Sequence, residues 1–170
     1  MGFARKLKQM MLFNSGLAYI GDVTSVTLPK LVRKLEEYRS GGMNRPAKVD
    51  MGGEALEIEF TCGGPMRDIL RQYGAVGIGD VQLRFVGSYQ DDDTGEVTSI
   101  EVVVRGRHEE IDMGEAKPGE GTEFKVKSSL VYYKLSWNGV VEIEIDVLGM
   151  VEIVGGVDRM AEIRNALGVF

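Results

Sequence analysis

Val81-Gln82-Leu83-Arg84-Phe85-Val86-Gly87-Ser88-Tyr89-Gln90, then Asp91-Asp92-Asp93-Thr94-Gly95-Glu96, then Val97-Thr98-Ser99-Ile100-Glu101-Val102-Val103-Val104-Arg105-Gly106 is the stretch whose reading decides the fold. Val81, Leu83 and Phe85 alternate with Gln82 and Arg84; Ile100, Val102 and Val104 alternate with Ser99, Glu101, Val103 and Arg105. Successive side chains of a strand point to opposite faces, so each run offers one face for burial and one more polar face. Asp93-Thr94-Gly95 between them supplies turn residues. The stretch predicts two long antiparallel strands joined by a tight acidic loop, with residues 107–113 extending the second.

The rest of the chain repeats this grammar. Met10–Phe13 and Leu17–Ile20 flank Asn14-Ser15-Gly16, a three-residue hairpin turn. Asp22–Leu28 is rich in β-branched residues and reads as a strand, ended by Pro29. Val32–Tyr38 reads as a charged strand, with a helix as the alternative because Leu31 and Leu35 are four apart. Arg39–Arg45 is a loop, and Val49–Met51 and Leu56–Phe60 are strands separated by Gly52-Gly53. Phe124–Trp137 is a long strand ending at Asn138-Gly139, a strong short hairpin signal. Val140–Val147 is its return, with Val141, Ile143 and Ile145 on one face and Glu142, Glu144 and Asp146 on the other. Only two places change period. Met66, Ile69, Leu70 and Tyr73 form a helical stripe opened by Gly64-Pro65 and closed by Gly74. After Gly155-Gly156, Asp158 caps a last short helix with Met160, Ile163 and Leu167 on one face. The expected architecture is mainly β: antiparallel strands with one short packed helix and a short C-terminal helix. Residues 1–170 form a single domain, with no internal repeat or linker.

Composition bounds the function. A hydrophobic fraction of 44% with 27% charged residues is that of a globular chain rather than a disordered one. A net charge of −6 argues against tight nucleic-acid binding, which needs a basic footprint. Cys62 is the only cysteine, so an intrachain disulfide and a cysteine metal cluster are excluded. Met10–Phe13 is too short for a signal-peptide core, no run approaches a membrane span, and synthesis in the cytoplasm is expected.

No catalytic set emerges. Glu142, Glu144 and Asp146 stand roughly 7 Å apart on a strand face, a spacing acid–base chemistry or a cation could use, but a solvated acidic face has the same pattern. Asp91–Gly95 lacks the spaced ligands of a calcium loop and reads as a turn. His108, the only histidine, has no nucleophile motif around it, and Cys62 reads as a small buried hydrophobe. Gly77-Ile78-Gly79 follows a helix rather than a strand, which rules out a dinucleotide fingerprint. Arg5, Lys6 and Lys8 read as a solvated basic start. What remains is acid: residues 91–123 carry eleven Asp or Glu against Arg105, Arg107 and Lys117. Strands with one apolar and one acidic face, paired edge to edge into a ring, would repel a polyanion passing through it.

Val26-Thr27-Leu28-Pro29-Lys30-Leu31 and Glu37-Tyr38-Arg39-Ser40-Gly41-Gly42-Met43-Asn44 resemble the start of the major tail tube proteins of contractile-tailed phages, the group that includes R-type pyocin tubes. Phe85–Gln90, Arg105-Gly106-Arg107, Glu110-Ile111-Asp112 and Gly155–Arg159 continue the resemblance in order over nearly the whole chain. It implies an antiparallel β-sandwich or barrel-like tail-tube fold, and hexameric rings stacked into a hollow tube inside a contractile sheath, with the inner sheets of six subunits forming one barrel around the lumen. It implies a structural protein of the virion tail, assembled in the host cytoplasm, without enzymatic activity or cofactor. The implied partners are further copies of the chain, the tail sheath, tape measure protein in the lumen during assembly, and baseplate and tail terminator proteins. DNA passes without specific binding, and there is no stable membrane association. By the same resemblance Arg39, Gly41, Gly42, Met43 and Asn44 are expected to touch the neighbouring ring. Either Glu57 and Glu59 or the Glu142, Glu144 and Asp146 stripe is expected to line the lumen. The alternatives are a secretion-system tube protein that exports effectors, and, from another class, a lipocalin-like small-molecule barrel.

Overall fold

In the computed structural model of the chain, residues 2–15, 17–18 and 22–169 are described. The strands are β1 (Lys6–Asn14), β2 (Leu17–Ala18), β3 (Val23–Thr27), β4 (Arg33–Tyr38), β5 (Ala47–Gly53), β6 (Leu56–Cys62), β7 (Val81–Gln90), β8 (Val97–Asp112), β9 (Phe124–Trp137), β10 (Val140–Asp146), β11 (Val151–Val154) and β12 (Val157–Asp158). Helix α1 (Arg67–Arg71) lies between β6 and β7, and α2 (Ala161–Ala166) follows β12.

The β7–β8 hairpin is registered from Val81 opposite Gly106 to Gln90 opposite Val97. The alternation read from sequence holds: Val81, Leu83, Phe85, Val102 and Val104 are all buried. Strands β8 and β9 run alongside each other for most of their length and are each shared between two sheets. Their upper halves continue into β7, β1 and β2 on one side and β10, β11 and β12 on the other. Their lower halves continue through β6 to β3. Between the halves the register shifts, with Gly106 opposite Leu130 and Val131 as the extra residue. Such a bulge bends and twists a ladder. Gly106 is required there, because a Cβ on it would sit 1.9 Å from the Ser129 carbonyl oxygen.

One core joins the inner faces of both halves. Ile58, Phe60, Phe124 and Val126 from the lower sheet pack with Leu12, Leu83, Phe85 and Tyr133 from the upper. The outer face of each half therefore looks away from this common interior.

Several local expectations need correction. Asn14 pairs with Leu17, so the first hairpin turn is shorter than Asn14–Gly16; Gly16, Tyr19 and Ile20 lie outside the described residues. The stretch 33–38 is a strand and not a helix, and Gly52-Gly53 belong to β5 rather than separating two strands. Helix α1 covers five residues and buries Ile69 alone, while Leu70 and Tyr73 of the expected stripe are exposed. A helix this short has no second turn with which to present an apolar face. Asp158 belongs to β12; its carboxylate accepts the Met160 and Glu152 N–H groups and pairs with Arg164 at 2.6 Å, while Met160 holds the α2 N-cap position. Ile163 of α2 and Leu167, its C-cap, are exposed. Strands β11 and β12 were absent from the sequence reading; Gly155 and Gly156, both at positive φ, form the turn between them.

Candidate assembly surfaces

The unsatisfied parts of this molecule are edges and faces. Strand β3 pairs with β6 on one side only, and residues 107–112 of β8 pair only with β9. The lower sheet, in the order β3, β6, β9, β8, thus ends in an open ladder on both sides among the described residues. Exposed edges of soluble proteins are usually blunted by lysine, proline or inward charge. Val23-Thr24-Ser25-Val26-Thr27 contains none of these.

The outer face of that sheet is charged. Glu57 and Glu59 are exposed on β6, opposite Ser129 and Lys127 of β9. Lys127 Nζ lies 3.4 Å from Glu57 and 3.8 Å from Glu109, and these carboxylates raise its pKa. Glu110 and Asp112 of β8 stand opposite Lys127 and Lys125. Acid outnumbers base on this face. The second candidate stripe is interrupted at one end, while Glu144 and Asp146 keep their alternation on β10. A register shift between Val141 and Ile143 places Glu142 at a bulge, exposed and out of alternation. Glu144 accepts a 2.5 Å hydrogen bond from the Tyr132 hydroxyl; burial and this partner push the phenol up to about 12. Asp146 accepts the N–H of Gly149 in its own turn.

Strands β4 and β5 form a separate two-stranded arm in which every residue of β4 is exposed. Tyr38, Ala47 and Val49 share one face with Glu36 and have no cover. A lone hairpin in water is marginal, so this arm needs support. Its base has some: Arg33 bonds Asp50 at 3.0 Å and Glu152 of β11 at 2.6 Å, and Asp50 above all raises the guanidinium pKa. Its tip folds on itself. Arg39 Nε donates to the Met43 carbonyl at 3.1 Å, the Met43 N–H donates to Ser40 O at 3.2 Å, and Gly42 takes φ +84°. Arg39, Gly41, Gly42 and Asn44 remain exposed around the half-buried Met43. The tip and the Glu57/Glu59 face are thus separate surfaces.

Two polar features were missed in the sequence. Asp91 is buried and receives the N–H groups of Asp93 at 2.8 Å and Phe3 at 3.1 Å, so the acidic turn pins the N-terminal segment. These donors hold its pKa below the usual carboxylate range. His108 is buried, with Nδ1 2.8 Å from the Ser128 hydroxyl and Nε2 2.9 Å from Gln72 Oε1. Gln72 in turn exchanges two hydrogen bonds with Asn14, at 2.7 and 2.8 Å. Chain neighbours of a buried histidine give no clue to partners 36 and 20 positions away. Cys62 is fully buried, which raises its thiol to about 11. Among the described residues, no group of three or more His, Cys, Asp or Glu is arranged to hold a metal ion.

These are the surfaces of a building unit, and the comparisons agree. The tail tube protein of Escherichia phage P2 is 49% identical over 172 residues, covering 99% of this chain and all of the relative. The major tail tube protein of Serratia phage KSP20 is 39% identical over 153 residues, covering 89% of this chain and 88% of the relative. At the level of fold alone, a chain of an extracellular contractile injection system sheath–tube complex matches at 12% identity with a TM-score of 0.57, covering 75% of this chain and 88% of the other. A chain of the anti-feeding prophage tube-terminating cap matches at 12% identity with a TM-score of 0.60, covering 80% and 93%. The model of the family described as phage tail tube protein FII matches residues 4–168, and the chain belongs to that family of structural tail proteins.

Proposed function

We propose that residues 1–170 act as one tail tube domain, six copies of which close into a ring by joining the free edge of β3 to the free edge of β8 at residues 107–112 in the next copy. The observation that carries this is the four-stranded lower sheet with an open ladder at each side. A head-to-tail contact of this kind uses two different surfaces of one chain and closes by rotation. Closure removes every edge of the sheet, as in any barrel. The outer face of the same sheet, with Glu57 and Glu59, then lines the lumen. Its acid excess keeps a polyanion from sticking while DNA passes. The tip of the arm, Arg39 to Asn44, reaches the ring above or below. Tail sheath outside the tube, tape measure protein within it during assembly, and terminator and baseplate proteins at its ends complete the set of partners. Assembly takes place in the host cytoplasm and ends in the virion tail.

The edge contact is tested by placing charge on β3. Ser25→Lys with Thr27→Lys should yield folded chains, with unchanged circular dichroism, that form no tubes in electron micrographs. Normal tubes from this variant would remove the edge pairing.

A further inference from the structure

The chain carries a net charge of −6, yet the far end of its arm is basic. Residues 38–48 hold Arg39, Arg45 and Lys48 and no carboxylate. All three are exposed, and none has an ion-pair partner among the described residues. The acids next in line are Glu36 and Glu37, with Glu37 opposite Lys48. Beyond the Arg33 clamp the arm therefore has four cations, Lys34 included, against two carboxylates. A strand rises about 3.3 Å per residue, which sets the tip roughly 20 Å beyond that clamp.

The converse lies at the other end of the lower sheet. Strand β6 leaves the arm at Leu56 and finishes at Cys62, opposite Phe124, and the loop 113–123 that joins β8 to β9 is at this finish. Residues 112–123 are all exposed and hold Asp112, Glu115, Glu120 and Glu123 against Lys117. Lys117 is taken by Glu120 and Lys125 by Glu123, each at 3.3 Å. Asp112 and Glu115 keep charges without an ion-pair partner among the described residues, and exposed Asp22, just before β3, adds another carboxylate at the same end. Arg67 and Arg71 of the following α1 come with Asp68; with these counted too, acids outnumber bases at this end. The chain's other acidic turn, Asp91–Glu96, is at the far end of β8 and is largely occupied. Asp91 accepts the Phe3 and Asp93 N–H groups, Asp92 pairs with Lys8 at 2.8 Å and Glu96 with Arg5 at 3.8 Å, which leaves Asp93.

We infer that the basic arm tip, residues 38–48, seats on the acidic loop 112–123 of a second copy of the chain in the next ring. The inference rests on the tube reading and names the seat and the stacking direction that reading leaves open. Closing the lower sheet into a barrel turns its two ends into the two rims of the ring, one bearing arms and the other bearing loops. Arm and loop are different surfaces of one chain, so the contact is head to tail and propagates along the tube. Opposite charges fix which way round the rings meet, because a ring turned over would set arm against arm, cation against cation. Tyr38, 58% exposed, and Met113, 49% exposed, give each side an apolar group to bury as well.

Charge exchange between copies tests it. Arg45→Glu with Lys48→Glu reverses the arm, and Glu115→Lys with Glu120→Lys reverses the loop. Each variant, folded by circular dichroism, should form no tubes alone at concentrations where the native chain does. Mixed in equal amounts, the two should form tubes again, because each arm then finds a loop of opposite sign. Long tubes from either variant alone, or none from the mixture of folded variants, overturn the inference. Crosslinking keeps the test decisive if a variant does not fold. Asn44→Cys with Ala116→Cys changes no charge, both positions are exposed, and the buried Cys62 thiol leaves a silent background. Tubes of this variant treated with a short bismaleimide should give a ladder of multimers on a denaturing gel, and Asn44→Cys with Thr94→Cys should give none. Tubes without the 44–116 ladder overturn the inference. A native chain that forms no tubes at all overturns the tube reading instead.

Discussion

Acid should loosen this protein through His108 before it protonates most carboxylates. Gln72 Oε1 accepts from Asn14 and so must also accept from His108, which places the proton on Nε2 and leaves Nδ1 to accept from Ser128. No other titratable group among the described residues takes part in this network, and desolvation lowers the His108 pKa from 6.5 to about 4. The folded state thus holds the ring neutral while the unfolded chain protonates it from pH 6.5 downwards. Its contribution to stability is complete above pH 6.5, falls by about 1.4 kcal/mol per pH unit below that, and levels off under pH 4. The full loss is about 3 kcal/mol, a large part of the stability of an ordinary domain. Urea unfolding at pH 7.5, 6.5, 5.5 and 4.5, at a concentration below assembly, measures it. His108→Gln has lower stability at pH 7.5 but lacks this slope, and carboxylate terms common to both proteins cancel in the difference. The gap between native and variant should narrow by about 2 to 3 kcal/mol between pH 6.5 and 4.5. A gap independent of pH, or an imidazole that titrates near 6.5 by NMR, would refute the reasoning.

Gly106→Ala forces a Cβ to within 1.9 Å of a backbone oxygen on β9 and should cost at least about 3 kcal/mol by chemical denaturation, or yield no soluble protein. Deleting Gly41 to Asn44 should leave a folded chain that makes no long tubes, since those residues, half-buried Met43 included, bond only within the arm tip; long tubes from the deletion would separate the arm from ring stacking. Glu57→Lys with Glu59→Lys should still assemble, yet retain labelled DNA that native tubes do not, with retention falling steeply as salt rises. Equal DNA retention by both tubes would take that face out of the lumen.

The strands were legible because their faces are set by a local period. Leu83 and Phe85 on β7, or Ile58 and Phe60 on β6, alternate with polar neighbours and meet one core inside their own chain. The bulge at Glu142 was not legible, because an extra residue in a ladder leaves the local pattern of apolar and polar residues intact and changes only the pairing partner. The His108 network was hidden for a related reason: its members come from four elements that only the fold brings together. The remaining misreadings share a different cause. Leu70 in α1 and Tyr73 after it were expected to pack on a sheet and are exposed; Ile163 and Leu167, read as one face of the last helix, are exposed as well. Tyr38 and Val49 on the arm are apolar and uncovered as well. A helical or alternating apolar pattern records that a face is worth removing from water, without recording which molecule removes it. In a chain that folds alone, the two questions have one answer. Here the arm, Leu70 and Tyr73, and Ile163 and Leu167 carry apolar groups that their own chain leaves uncovered. If the burial missing from one copy is supplied by another, hydrogen exchange at Leu70, Tyr73 and Ile163 should slow on assembly, while exchange in the β7–β8 hairpin, already buried, should stay as it is.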